Sequence, residues 1–211
     1  MAVSGPAPDC ALCPRLADFR RTNRAAFPDW FNAPVPGFGA AGTRLLIVGL
    51  APGLRGANRT GRPFTGDYAG DLLYSTLSRF GFAEGSYEAR PDDGFSLTGC
   101  RIVNAVRCVP PENKPTTDEI ATCNTFLADE LRATPADSVI VALGLIAHKA
   151  TLKALGLRAS HYGFAHGALH DLPGGRLLAD SYHCSRYNTN TGRLTEAMFH
   201  QVFAAIAKRL R

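Results

Sequence analysis

Short apolar runs of strand length alternate with segments of helical periodicity along this 211-residue chain. That alternation restricts the fold more than any other feature. Arg44-Leu-Leu-Ile-Val-Gly49 is an apolar run closed by glycine, the pattern of a strand buried on both faces. Ile102-Val-Asn-Ala-Val106, Ser138-Val-Ile-Val-Ala-Leu143 and Arg176-Leu-Leu-Ala-Asp-Ser-Tyr182 read the same way. Between them, residues 69–80 carry Leu72, Leu73, Leu77 and Phe80 at helical spacing. Thr116 to Arg132 opens with a capping-box pair, Thr116 and Glu119, and has an apolar stripe through Ile120, Cys123, Phe126, Leu127 and Leu131. Helices are also expected over Gly144–Leu155 and from about Leu194 onward, whereas residues 1–40 and the polar stretch 184–193 read as irregular. Strands buried on both faces and separated by helices imply a mostly parallel sheet with helices on both sides. Ligands of such sheets bind beyond the carboxyl ends of the strands. The loops after Gly49, Val106, Leu143 and Tyr182 should therefore meet.

Length and composition set the outer bounds. A chain of this length fits a single domain, residues 1–211, with 1–40 as an appended segment. Hydrophobic residues at 45% and charged residues at 19% exclude a disordered chain. No apolar stretch approaches the ~20 residues of a membrane span. The start MAVSGPAPDC lacks the basic and apolar regions of a secretory signal. A cytoplasmic, nucleoid-associated monomer is expected. The formal charge of +5 suits a polyanionic partner without requiring one.

Six cysteines in a reducing compartment point to metal binding rather than disulfides. Cys10 and Cys13 form a tight C-x2-C pair, while Cys108 and Cys123 straddle the loop Val109-Pro-Pro-Glu-Asn-Lys-Pro115. One tight pair and one open pair favour a bulky [4Fe–4S] cluster over two zinc knuckles. Spacing alone leaves zinc open, and also leaves Cys108 and Cys123 open as ordinary core cysteines. Cys100 and Cys184 have no matching partners and read as plain thiols.

The loop after the first strand is neither a phosphate loop nor a dinucleotide fingerprint. Its glycines, Gly49 and Gly53 among them, let backbone approach a ligand closely. Arg59 and Arg62 can meet phosphates, Phe64 can stack on a base, and Asp67 can orient or deprotonate water. Each has a structural alternative: Phe64 as a core anchor, Asp67 as the N-cap of the following helix. Asn104 can brace backbone or read a base edge. His183, at the end of the fourth strand, can donate to a developing anion or serve only the fold. The loop after it carries Ser185, Arg186, Tyr187 and Arg193, which can touch phosphates or wedge into a duplex.

Four motifs occur in order: Gly49-Leu-Ala-Pro-Gly53, Gly56-Ala-Asn-Arg-Thr-Gly-Arg-Pro-Phe-Thr-Gly-Asp67, Val103-Asn-Ala-Val-Arg-Cys-Val-Pro-Pro-Glu-Asn-Lys-Pro115, and His183. Together with Pro34-Val-Pro-Gly-Phe-Gly39 and the four cysteines, they resemble the uracil-DNA glycosylase superfamily, in its iron–sulfur family 5 or type b branch. The resemblance implies an α/β/α sandwich around a four-stranded parallel sheet. It implies a monofunctional DNA repair glycosylase acting on uracil, with hypoxanthine and xanthine as further bases. It places a [4Fe–4S] cluster on Cys10, Cys13, Cys108 and Cys123. It makes Asp67, Asn104 and His183 catalytic, and Gly49, Leu50, Ala51, Gly53, Phe64 and Asn104 the base contacts. DNA contacts fall to Arg59, Arg62, Ser185, Arg186, Tyr187 and Arg193. Leu50 replaces an acidic residue of the other main iron–sulfur branch, which leaves Asp67 as the carboxylate for water. His-Cys-Ser stands where the family more often has His-Pro-Ser. No basic, His-containing insertion is present, so a covalent DNA product is not expected. The competing expectations are an iron–sulfur redox protein and a zinc-stabilised nucleic-acid-binding module without catalysis.

Overall fold

The computed structural model describes residue 3 and residues 5–211. Helix α1 (Pro14–Ala26) starts behind Cys13, with Pro14 in its first turn, where a missing amide costs nothing. Strand β1 (Leu45–Gly49) leads through the one-turn helix α2 (Ala57–Thr60) into α3 (Tyr68–Arg79). The small antiparallel pair β2 (Ala83–Glu84) and β3 (Ser96–Leu97) precedes β4 (Cys100–Asn104). Then follow α4 (Thr117–Ala133), β5 (Val139–Leu143), α5 (Leu145–Ala154), β6 (Leu169–Asp171), β7 (Leu177–Ser181), α6 (Arg186–Asn190) and α7 (Glu196–Leu210).

The main sheet runs in the order β4-β1-β5-β7-β6. Its first four strands are parallel, with Gly49 opposite Asn104 at the carboxyl ends. A fifth strand corrects the expected four: β6 lies antiparallel on β7 at the edge. Its three residues, Leu-His-Asp, have no apolar run to mark them. The second strand is also displaced from Ile102–Val106 to Cys100–Asn104, which makes Asn104 its last residue.

Side chains alternate across this sheet and so build two cores. Leu45, Ile47, Val139, Val141 and Ala179 pack against Leu73 and Leu77 of α3 and Phe199, Phe203 and Ile206 of α7. Leu46, Val48, Ile140, Ala142 and Leu178 pack against Leu127 and Leu131 of α4 and Ala147 and Ala150 of α5. These are the three layers of an α/β/α sandwich. On the α5 side, His148 Nδ1 lies 2.7 Å from Asp180 Oδ1, and its Nε2 donates to the Tyr162 carbonyl at 2.9 Å. His170 Nε2 closes on Asp180 Oδ2 at 3.1 Å, so the group braces α5, β6 and β7.

Two stretches expected to be irregular are helical. In the first, α1 is polar and Arg-rich, yet it buries Leu16, Ala17, Arg20 and Asn23 on one face. In the second, Ser185 caps α6 by accepting from the Asn188 amide at 3.5 Å. The capping box of α4 is formed, with Glu119 Oε2 accepting from the Thr116 amide at 2.8 Å.

Arg62 corrects another expectation, because it faces inward rather than toward phosphate. Its Nη1 and Nη2 each meet an Asp93 oxygen at 2.8 Å. The rings of Phe38, Tyr74, Tyr87 and Phe95 stand 5.1–6.0 Å from its guanidinium carbon. Arg62 holds the Asp93 carboxyl far below the usual range. A depressed carboxyl pKa stabilises the fold above the unfolded-state value, and that contribution is lost as pH falls toward the folded-state value. Asp93→Asn leaves a buried guanidinium without its counter-charge. We expect a loss of about 3 kcal/mol in urea unfolding at neutral pH. An unchanged urea midpoint would show that the pair contributes nothing.

Candidate active site and cysteine centre

The adjacent carboxyl ends of β1 and β4 form the floor of a recess. A Cβ at Gly49 would stand 2.4 Å from Asn104 Oδ1 and 2.7 Å from Phe64 Cζ, so this position accepts only glycine. Asn104 is 3% exposed and its Oδ1 has no hydrogen-bond partner. Phe64 holds a left-handed backbone, φ +55°, which is unfavourable for a bulky side chain. Two contacts hold it there. The Tyr87 hydroxyl donates to the Phe64 carbonyl at 3.2 Å, and a Cβ at Gly70 would fall 1.8 Å from the same oxygen.

Asp67 occupies the N-cap position of α3, but its side chain makes no capping hydrogen bond. Its Oδ1 is buried and unpartnered. Its Oδ2 lies 2.3 Å from where a Cβ on Gly56 would stand, and 3.0 Å from one on Gly53. Burial pushes the Asp67 carboxyl above the usual carboxylate range, against the opposing amides of Ala69 and Gly70. His183 lies just past β7, and its ring centroid is 5.8 Å from that of Phe64 with the planes 28° apart. Part of the His183 side chain remains open, yet its surroundings are dry enough to push its pKa down to about 4. The imidazole is therefore neutral at physiological pH.

Phe64, Asp67, Asn104 and His183 thus line one recess, with Ala51 and Gly53 on its wall and about 250 Å³ of empty space counting its mouth. Leu50 is not part of that lining. Its carbonyl accepts from the Val106 amide at 2.9 Å and extends the β1–β4 pairing. Ala57, Ala69 and Pro52, which the sequence reading passed over, complete the wall. Gly56, the first residue of the second motif, has no role legible in the sequence, yet its missing side chain makes room for the Asp67 carboxylate.

Arg59, Arg186, Tyr187 and Arg193 are exposed. Tyr187 is 72% exposed. Arg186 lies 5.3 Å above the Tyr68 ring, and Arg193 lies 4.6 Å above Tyr182.

The cysteines meet on the far side of β4. Cys10, Cys13, Cys108 and Cys123 surround a pocket of about 320 Å³ walled by Leu12, Leu16 and Phe126. Burial pushes the Cys108 thiol up to about 12, and it raises Cys13 and Cys123 as well. Neutral thiols facing one another suit a metal that displaces their protons. A tetrahedral zinc with ~2.3 Å bonds holds its sulfurs about 3.8 Å apart. Among the described residues, no three of these sulfurs lie within 4.8 Å of one another. The donor set and the wider spacing fit an iron–sulfur cluster better than one zinc ion. His148, His170 and Asp180 do come that close, at distances that hydrogen bonds explain.

Known proteins carry the same arrangement of sequence. The family model described as the uracil DNA glycosylase superfamily matches residues 36–207. A type-5 uracil-DNA glycosylase of Thermus thermophilus is 49% identical over 207 residues, covering 95% of this chain and 93% of that protein. Type-5 uracil-DNA glycosylases of Mycobacterium leprae and Pyrobaculum aerophilum are 44% and 40% identical, covering 92% and 94% of this chain and 88% of each relative. This chain belongs to the uracil-DNA glycosylase superfamily, in its type-5 branch.

Proposed function

We propose that this protein excises uracil from DNA by hydrolysing the N-glycosidic bond, and that it accepts deaminated purines such as hypoxanthine and xanthine. The observation that carries the reading is a pair of buried, unpartnered oxygens, on Asp67 and Asn104, facing one aromatic-walled recess. Buried polar atoms are rarely left unpaired in a folded chain, and a ligand that supplies the missing partners explains them. A redox carrier or a purely binding module needs no such pair.

A base inside the duplex stack is inaccessible, so the nucleotide must be swung out. Phe64 stacks on the extruded base and Asn104 pairs with its edge. As the glycosidic bond breaks, the base takes the electron pair and becomes anionic. Neutral His183 donates a hydrogen bond to that charge without first having to lose a proton. The sugar becomes cation-like, and a water oxygen attacks its anomeric carbon. Asp67 steadies the cation and takes the water's proton. Arg59, Arg186 and Arg193 hold the backbone phosphates, and Tyr187 fills the gap in the stack. Cys10, Cys13, Cys108 and Cys123 hold a [4Fe–4S] cluster, which supplies a rigid structural cross-link and no step of the hydrolysis.

Asn104→Ala and His183→Ala should each lower single-turnover excision of uracil about 10²–10³-fold without changing the far-UV spectrum. Wild-type rates in either would remove that residue from the site. Asp67 works as the carboxylate, so excision should fall as pH drops through its raised pKa, on an acid limb above the ordinary carboxylate value. His183, pushed down to about 4, is neutral on the plateau above the limb. A pH–rate series on Asp67→Asn should lose the limb together with about 10²–10⁴-fold of rate; a limb that persists would assign it to another group. Tyr187→Ala should weaken binding to duplexes carrying an abasic analogue while leaving the slope of affinity against salt unchanged, because it removes no phosphate contact. Unchanged affinity in fluorescence titration would exclude Tyr187 from the interface.

A further inference from the structure

Arg20 is 4% exposed, yet among the described residues no Asp or Glu pairs with it. Asp9, whose carboxyl also feels Arg20, is bonded to Arg24 instead. Arg20 Nη2 donates to the Cys10 carbonyl at 2.7 Å, Nη1 reaches Cys108 Sγ at 3.5 Å, and Nε is buried with no partner. A guanidinium cannot shed its proton to avoid this burial. An anion must offset its charge, and the nearest source is the cysteine centre.

A second excess of positive charge adjoins Cys123. Arg107 is 2% exposed, and its backbone amide donates to Cys123 Sγ at 3.4 Å. Its guanidinium meets Glu130 at 2.8 Å, but Arg101 already binds both oxygens of Glu130 at 2.7 and 3.0 Å. Two guanidiniums on one carboxylate leave one positive charge over. Arg20 and the Arg101–Glu130–Arg107 group therefore both adjoin the cysteine centre, at Cys108 and Cys123. Four thiolates around a doubly positive iron–sulfur core form a dianion. The two positive charges equal it in size and are opposite in sign.

We infer that Arg20 is the built-in counter-charge of the cluster, aided by Arg107, and that it protects the core against oxidative loss. The inference rests on the cluster reading above. A fixed positive charge favours the more reduced, more negative form of each redox couple. It therefore raises the potential at which the core gives up an electron to an oxidant and breaks down. Position supports the role, because Arg20 follows Cys13 by seven residues and so lies two turns along α1 on the same face.

The test uses the full-length protein purified without oxygen, as wild type, Arg20→Lys and Arg20→Gln. Iron and inorganic sulfide are counted, the cluster potential is measured by film voltammetry, and visible absorbance is followed during ferricyanide oxidation. Arg20→Gln should shift the potential negative and bleach about tenfold faster. Arg20→Lys keeps the charge and should stay near wild type on both readouts. If Arg20→Gln is isolated without iron while Arg20→Lys is loaded, the charge assignment also holds. A loaded Arg20→Gln with wild-type potential and lifetime overturns the inference and leaves the cluster reading intact. Equal shifts or equal loss of iron in the two variants overturn it too, since geometry rather than charge would then matter. Wild-type protein with neither iron nor sulfide overturns the cluster reading itself.

Discussion

The parallel pairing of β1 with β4 is the constraint on which the recess depends. Its register puts Gly49 beside Asn104, and the missing side chain at Gly49 lets the Phe64 ring close over the amide. One methyl group there would strike both. The pairing continues past the strands through Gly49, Leu50, Ala105 and Val106, whose backbone hydrogen bonds are 2.9 Å long. Asn104 is therefore mounted on a rigid ladder instead of a free loop, which keeps its amide preorganised at the floor of the recess.

Dryness then sets the chemistry. The same loss of water raises the Asp67 carboxyl and lowers the His183 imidazole, because burial penalises the charged form of each. Both groups are thereby held toward their uncharged forms. A neutral imidazole donates without carrying a charge that would bind phosphate indiscriminately. A carboxyl of raised pKa is a better base than an ordinary one. Gly53 and Gly56 contribute by absence, since any side chain on Gly56 would overlap the Asp67 oxygen.

Much of this was legible in the sequence, and the limits have physical causes. The four parallel strands were visible because strands buried on both faces must be continuously apolar. The α4 boundary was visible because a capping box is a local hydrogen-bond pattern. The recess was foreseeable as a place, since strand ends in such sheets converge, and His183 and Asn104 stand at two of those ends. What failed was whatever depends on a distant partner. Arg59 and Arg62 look alike in the chain, and only Asp93, 31 positions on, turns Arg62 inward. Helix α1 hides in a polar, Arg-rich stretch because only its inner face is buried, and β6 is three residues with no apolar run, held by its pairing with β7 and by His170 on Asp180. Arg20 and Arg21 are adjacent in one Arg-rich stretch, and only the packing of α1 buries the first and exposes the second.

The cysteine centre and the recess are also mechanically joined. Asn104 ends β4 and Cys108 follows four residues later, with Val106 packed beside Leu16 of α1 in the same small core. That core has few apolar side chains of its own, so α1 gains little from hydrophobic burial. A group bonded to Cys10 and Cys13 on one side and to Cys108 and Cys123 on the other would clamp α1 and α4 onto the segment that carries Asn104. The buried arginines make sense in that frame. Emptied of its anion, the same site would hold guanidiniums with nothing to offset them, and the local fold would open around the end of β4. Such a group, bonded to the cysteines, would therefore act on the recess through Asn104, not through any electron moved during hydrolysis.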